Sequence, residues 1–98
     1  MFLVRDVFRC KPGKAGALVK IFKQVSEMTK SMEGFTSYRV MTDMVATYWT
    51  VVTEIEVDSI EHYTNMTRTF TSMPDVAELF KGYMDLVEGG HREIFKIK

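Results

Sequence analysis

Both faces of the extended segments in this 98-residue chain are apolar, while its helical segments can cover only one face of a sheet. Side chains alternate across a strand, so residues 2 to 9 place Phe2, Val4 and Phe8 on one side and Leu3 and Val7 on the other. Residues 48 to 57 repeat the pattern, with Trp49, Val51, Ile55 and Val57 on one side and Tyr48 and Val52 on the other. Neither side reads as a solvated surface. A monomer built this way would expose an apolar patch larger than soluble monomers carry, and a second copy across a two-fold axis is its simplest cover. The partner expected is therefore the chain itself, as a homodimer.

The periodicity gives the order of elements. Residues 1 to 10 favour a strand, which Lys11-Pro12-Gly13-Lys14 breaks. Ala15, Leu18, Val19, Phe22, Val25, Met28 and Met32 then recur at three- and four-residue spacing, one apolar stripe of a helix that Gly34 stops. Residues 35 to 42 and about 47 to 57 read as a hairpin joined through Asp43 to Ala46. Asp58 or Ser59 caps the next helix, with Ile60, Tyr63, Thr67 and Phe70 inward, until Pro74 interrupts it. A second helical piece carries Val76, Leu79, Phe80, Tyr83, Met84 and Val87 and ends at Gly89-Gly90, and residues 91 to 98 form the last strand. Strand, helix, strand, strand, split helix, strand is the order of a ferredoxin-like βαββαβ fold. Its class is α+β, a four-stranded antiparallel sheet in a single domain spanning 1 to 98.

Composition narrows the function classes. Thirteen basic and thirteen acidic residues cancel, which removes the attraction on which nucleic-acid and anionic-membrane binding depends, so neither partner is expected. The first residues carry an acid at Asp6 and no long apolar run, so the expectation is a cytoplasmic protein with neither leader nor membrane span. Cys10 is the only cysteine and permits no internal disulfide.

The segment Phe8-Arg9-Cys10-Lys11-Pro12-Gly13-Lys14, the amphipathic helix after it and the step Met32-Glu33-Gly34-Phe35 resemble the dimeric α+β barrel superfamily. That resemblance spans nearly the whole chain and implies a ferredoxin-like homodimer. Members include cofactor-free monooxygenases of antibiotic biosynthesis, haem-degrading enzymes and proteins of unknown activity, so the fold alone does not choose a chemistry. In the first two branches the resemblance implies an Asn in the middle of the first strand, where this chain has Asp6. It also implies a Trp before the Ser that opens the next helix, where this chain has Val57 before Asp58-Ser59. The haem-degrading branch would place a histidine near Met66 or Thr67, whereas His62 lies about one turn earlier. These departures set haem degradation behind the other readings.

Asp6 shares a strand face with Phe2, Val4 and Phe8, where an unpaired carboxylate is costly to bury. It is either a general base or hydroxyl anchor in a pocket, or part of an ion pair or cap, with Arg5, Arg9 and Arg39 as possible partners although strand parity points Arg5 and Arg9 away from it. Phe8, Trp49 and Tyr63 are candidate pocket walls, against plain core packing. His62 is a candidate proton carrier, against an exposed helix histidine. His91 and Glu93 suit a hydrogen-bonded pair but supply too few ligands for a metal, and no metal site or cofactor is expected. Cys10 lies between Arg9 and Lys11 but lacks a base partner, which argues against nucleophilic chemistry. The eight methionines read as core filling rather than a ligand surface. Arg5 and Arg9 are expected to meet Glu54 and Glu56, either within the sheet or across the dimer, bordering a dimer face made of Leu3, Val7, Tyr48 and Val52.

Two functional classes remain. One is a cofactor-independent monooxygenase acting on a small hydrophobic or aromatic molecule in a pocket between helices and sheet. The other is a non-catalytic ligand-binding or stress-associated dimer with the same pocket.

Overall fold

A computed structural model describes residues 1–30, 37–44 and 49–98. Its elements are β1 (Phe2–Cys10), α1 (Ala15–Thr29), β2 (Arg39–Thr42), β3 (Thr50–Val57), α2 (Ile60–Thr71), α3 (Pro74–Leu79), a 3₁₀ turn (Tyr83–Asp85) and β4 (Val87–Lys96). The strands form one antiparallel sheet in the order β2-β3-β1-β4, the ferredoxin-like arrangement. Met32, the Glu33-Gly34-Phe35 step, the hairpin connection at 45 to 46 and Tyr48 lie outside the described residues. Among the described residues, no helix is long and apolar enough to cross a membrane.

Local chemistry accounts for the element boundaries. Ser59 caps α2, its Oγ accepting the His62 N–H at 3.0 Å. Pro74 occupies the first turn of α3, where its missing N–H has no helical partner to lose. On α1 the buried stripe is Ala15, Leu18, Phe22, Val25 and Thr29. Thr29 therefore takes the inward place expected of Met28, and its hydroxyl donates to the Val25 carbonyl at 2.7 Å, so that hydroxyl is paired despite its burial. The expected methionine core is corrected more widely: Met1, Met28, Met44, Met73 and Met84 are all exposed.

Two further boundaries differ from expectation. The last helix stops at Leu79 instead of running on to Gly89-Gly90, because Gly82 takes a left-handed φ of 82° and only a 3₁₀ turn follows. Gly89 and Gly90 lie inside β4, beside a register shift at Arg9/Cys10. Trp49 precedes β3 with a φ of 65°, and this left-handed residue breaks the strand alternation that would have aimed its ring with Val51 and Ile55.

Helices pack on one side of the sheet. One buried cluster joins Leu18, Phe22 and Val25 of α1 to Val51, Phe70 and Val76, and a second joins Val4, Ile55 and Val57 to Tyr63. Neither cluster contains Leu3, Val7, Met41, Val52 or Phe95, which belong to the opposite face. Register lines up Arg39, Glu54, Arg5 and Glu93 across all four strands of that face. Glu54 is almost wholly buried beneath its neighbours, accepting from Arg39 Nη2 at 2.6 Å and from Arg5 Nε at 2.7 Å, and Arg5 lies 3.5 Å from Glu93. The expected Arg5–Glu54 pair is thus present. Within the sheet no Arg9–Glu56 pair forms, because antiparallel register puts Glu56 opposite Leu3 and Arg9 opposite Thr50, at the other end of the strands.

The hydrogen bond from Arg39 holds the Glu54 carboxyl below its ordinary range, aided by Arg5 and opposed by burial. A carboxyl whose folded pKa is lowered stabilises the fold above its unfolded pKa, about 4.3, and loses that contribution as pH falls through the lower folded value. Arg39 is largely exposed, so solvent screening limits the gain to about 1 kcal/mol. Urea unfolding at pH 7 should find wild type more stable than Glu54→Gln by that amount, with the gap closing towards pH 3. A gap that persists at pH 3 would contradict the assignment.

Candidate functional site

On the helix side, α1 packs over β2 and β3, and α2 packs over β3. The β1–β4 half of the sheet thereby becomes the floor of a cavity of about 760 Å³, within the range of small-molecule sites. Val4, Phe22, Ile55, Phe70 and Val76 supply apolar lining. Phe8, Phe22, Phe80 and Tyr83 form a chain of aromatic contacts along it, with successive centroids 5.0, 6.0 and 5.5 Å apart.

One polar row crosses this apolar floor. Register places Thr53 of β3 opposite Asp6 of β1 and Asp6 opposite Arg92 of β4. Arg92 donates through Nε to Asp6 Oδ1 at 2.6 Å and through Nη2 to Oδ2 at 3.2 Å, a two-pronged charge-assisted pair. The guanidinium carbon also stands 5.4 Å from the centre of the Tyr63 ring, so one cation is held by a carboxylate and an aromatic face together. The hydrogen bond to Asp6 raises the Arg92 pKa despite some burial.

Two phenols complete the row. Burial pushes the Tyr38 hydroxyl well above its ordinary range, with the Asp6 charge adding to the effect and a Thr53 hydrogen bond opposing it. Burial and Asp6 raise Tyr63 likewise, against the Arg92 cation and a hydrogen bond with Thr67. Both phenols are protonated at neutral pH and can donate or accept. The cavity thus pairs a large apolar volume with a hydrogen-bonding row on its floor.

Of the residues singled out from sequence, Asp6, Phe8 and Tyr63 line this cavity, and Trp49 and His62 do not. Trp49 is turned out by its left-handed backbone and is 43% exposed. His62 is fixed in the first turn of α2, its N–H engaged by the Ser59 cap. Asp6 is indeed paired, but to Arg92 instead of Arg5, Arg9 or Arg39; strand parity puts Arg5 and Arg9 on the opposite face, and Arg39 is committed to Glu54. Cys10 is buried in the core, and desolvation raises its thiol pKa, the reverse of what a nucleophile needs. His91 Nε2 lies 3.5 Å from Glu93 on the bare face, and among the described residues no cluster of three or more His, Cys, Asp or Glu could hold a metal.

The sequence pattern of the antibiotic biosynthesis monooxygenase family matches residues 1–56, from β1 nearly to the end of β3. The chain belongs to this family. No curated protein matches it. Similar solved structures include a protein from Agrobacterium tumefaciens, with TM-score 0.86, 19% identity, and 100% of this chain and 94% of that one covered. A NIPSNAP-like domain protein from Burkholderia xenovorans gives TM-score 0.84 and 12% identity, covering 99% of this chain and 84% of that one. A candidate antibiotic biosynthesis monooxygenase from Deinococcus radiodurans gives TM-score 0.73 and 14% identity, covering 100% and 93%. At these identities the likeness is one of fold.

Within this family member, the matched segment carries Asp6, Tyr38 and Thr53, while Tyr63 and Arg92 lie beyond it. Sequence reasoning missed Arg92 and Tyr38. A signal for Arg92 existed: in a βαββαβ sheet the last strand pairs with the first, and Asp6 is an acid on an otherwise apolar face of β1 while Arg92 is a base on β4.

Proposed function

We propose that this chain is a homodimer joined through the bare sheet faces, in which each subunit's cavity takes a small hydrophobic or aromatic molecule and oxygenates it without a cofactor. What carries the reading is the cavity itself: about 760 Å³, mostly apolar, with a single hydrogen-bonding row at Asp6, Arg92, Tyr38 and Tyr63. The family's name supports the oxygenase class. In such a reaction an electron-rich phenol or quinol is its own reductant. One oxygen atom of O₂ forms the new carbon–oxygen bond at a ring carbon, the other leaves as water with that carbon's hydrogen and the hydroxyl hydrogen, and the phenol ring becomes a quinone. The polar row would hold the substrate hydroxyl and balance charge as its proton leaves, while the aromatic wall excludes water.

A second reading, ligand binding without turnover, is favoured by the Asp6 carboxylate itself. Both of its oxygens accept from Arg92, and that cation holds the negative charge a base would use to draw a proton. Oxygen-electrode measurements with a panel of phenols and quinols separate the two. The oxygenase reading expects substrate-dependent uptake that falls at least about a hundredfold in Asp6→Ala, the scale of a lost acid–base group, with the circular dichroism unchanged. Binding without uptake across the panel would leave the non-catalytic reading.

A further inference from the structure

We propose that the Asp6–Arg92 pair acts as a charge filter, making the cavity take neutral hydroxylated aromatic molecules and reject their carboxylate counterparts; the inference rests on the ligand cavity proposed above. An arginine on a cavity floor would ordinarily be read as an anion site. Here the Nε–Nη2 edge of its fork is already filled, because both nitrogens donate to Asp6. A ligand carboxylate would have to take that edge from Asp6, or approach the remaining N–H groups next to the Asp6 carboxylate, and in either position it meets a like charge that already neutralises Arg92. Glu88, also on the lining, adds a second negative charge.

A neutral hydroxyl meets no such opposition. It can donate to a free lone pair on Asp6, whose side chain is 19% exposed, or exchange hydrogen bonds with the protonated Tyr38 and Tyr63 phenols. Asp6 therefore has two effects on a ligand: it offers an acceptor, and it cancels the charge of Arg92. Arg92 in turn is a latent anion site whose charge Asp6 cancels and whose Nε–Nη2 edge it holds. Removing the Asp6 charge while keeping its shape should open it.

Calorimetric titration of the intact protein with naphthalene, 2-naphthol and 2-naphthoate at pH 7 tests this directly. Wild type should bind 2-naphthol at least about tenfold more tightly than either of the others. Asp6→Asn should bind 2-naphthoate at least about tenfold more tightly than wild type does, reversing the order, and Asp6→Asn combined with Arg92→Gln should lose that gain. The filter is overturned if wild type takes 2-naphthoate as well as 2-naphthol, or if folded Asp6→Asn leaves naphthoate binding unchanged. Equal affinity for naphthalene and 2-naphthol would also overturn it, while leaving the cavity reading intact. Binding of none of the three probes would overturn both. Because the wild-type comparison needs no variant, misfolding of Asp6→Asn leaves the proposal falsifiable.

Discussion

Replacing Gly90 by alanine is expected to destabilise the protein by about 3 kcal/mol, the upper end of what overpacking costs, and to lower its Tm by about 15 °C. A Cβ at Gly90 would run into the backbone carbonyl of Val7 on the adjoining strand, and backbone cannot step aside as a side chain can. Gly89 is the internal control. A Cβ there would lie 2.9 Å from Arg9 Nη2, the mobile end of an exposed side chain. Neither glycine has a positive φ, so backbone strain does not distinguish them. Gly89→Ala should stay within about 0.5 kcal/mol of wild type, since loss of glycine's unfolded-state freedom offsets the small displacement of Arg9. Thermal melts of the two variants side by side give the answer, and equal midpoints would rule out the close β1–β4 approach.

A carboxylate at Val7 should convert the proposed dimer to folded monomers. Val7 pairs directly with Val52 and, with Met41 and His91, forms a row across the bare face next to the Arg39–Glu54–Arg5–Glu93 row. Val7→Asp would bury an unpaired charge in each subunit, weakening association by about a thousandfold, or ~4 kcal/mol. The monomer should survive because Val7 belongs to neither buried cluster. Light scattering at micromolar concentration should find wild type at twice the 11.3 kDa chain mass and Val7→Asp at that mass. Wild type at the single-chain mass sinks the dimer, and a variant that remains dimeric sinks the choice of face.

Much of the fold was legible because its signals are local. Alternation over residues 2 to 9 separates the two faces of β1, helical spacing from Ala15 to Val25 marks the inward stripe of α1, and Ser59 and Pro74 punctuate the helices. Each such signal needs only neighbours along the chain. Misreadings came where a local pattern was shared between states: Val76 to Val87 has helical spacing, yet Gly82 and the pull of β1 divide it among a helix, a 3₁₀ turn and a strand. Trp49 likewise fits strand alternation until its left-handed φ takes it out of the sheet.

The candidate site depended on contacts that no short window contains. Asp6 and Arg92 stand 86 positions apart, and their meeting is set by strand order and register, which must close that long loop before any favourable contact is made. The sequence by itself determined the α+β class, the element order and two apolar sheet faces, because side-chain period and turn chemistry are properties of adjacent residues. Tertiary structure alone decided that Arg92 is the partner of Asp6, that the β1–β4 floor lies under a cavity and that Trp49 stands outside it. Those outcomes depend on how distant strands align, and a one-residue slip in register would have reversed every face.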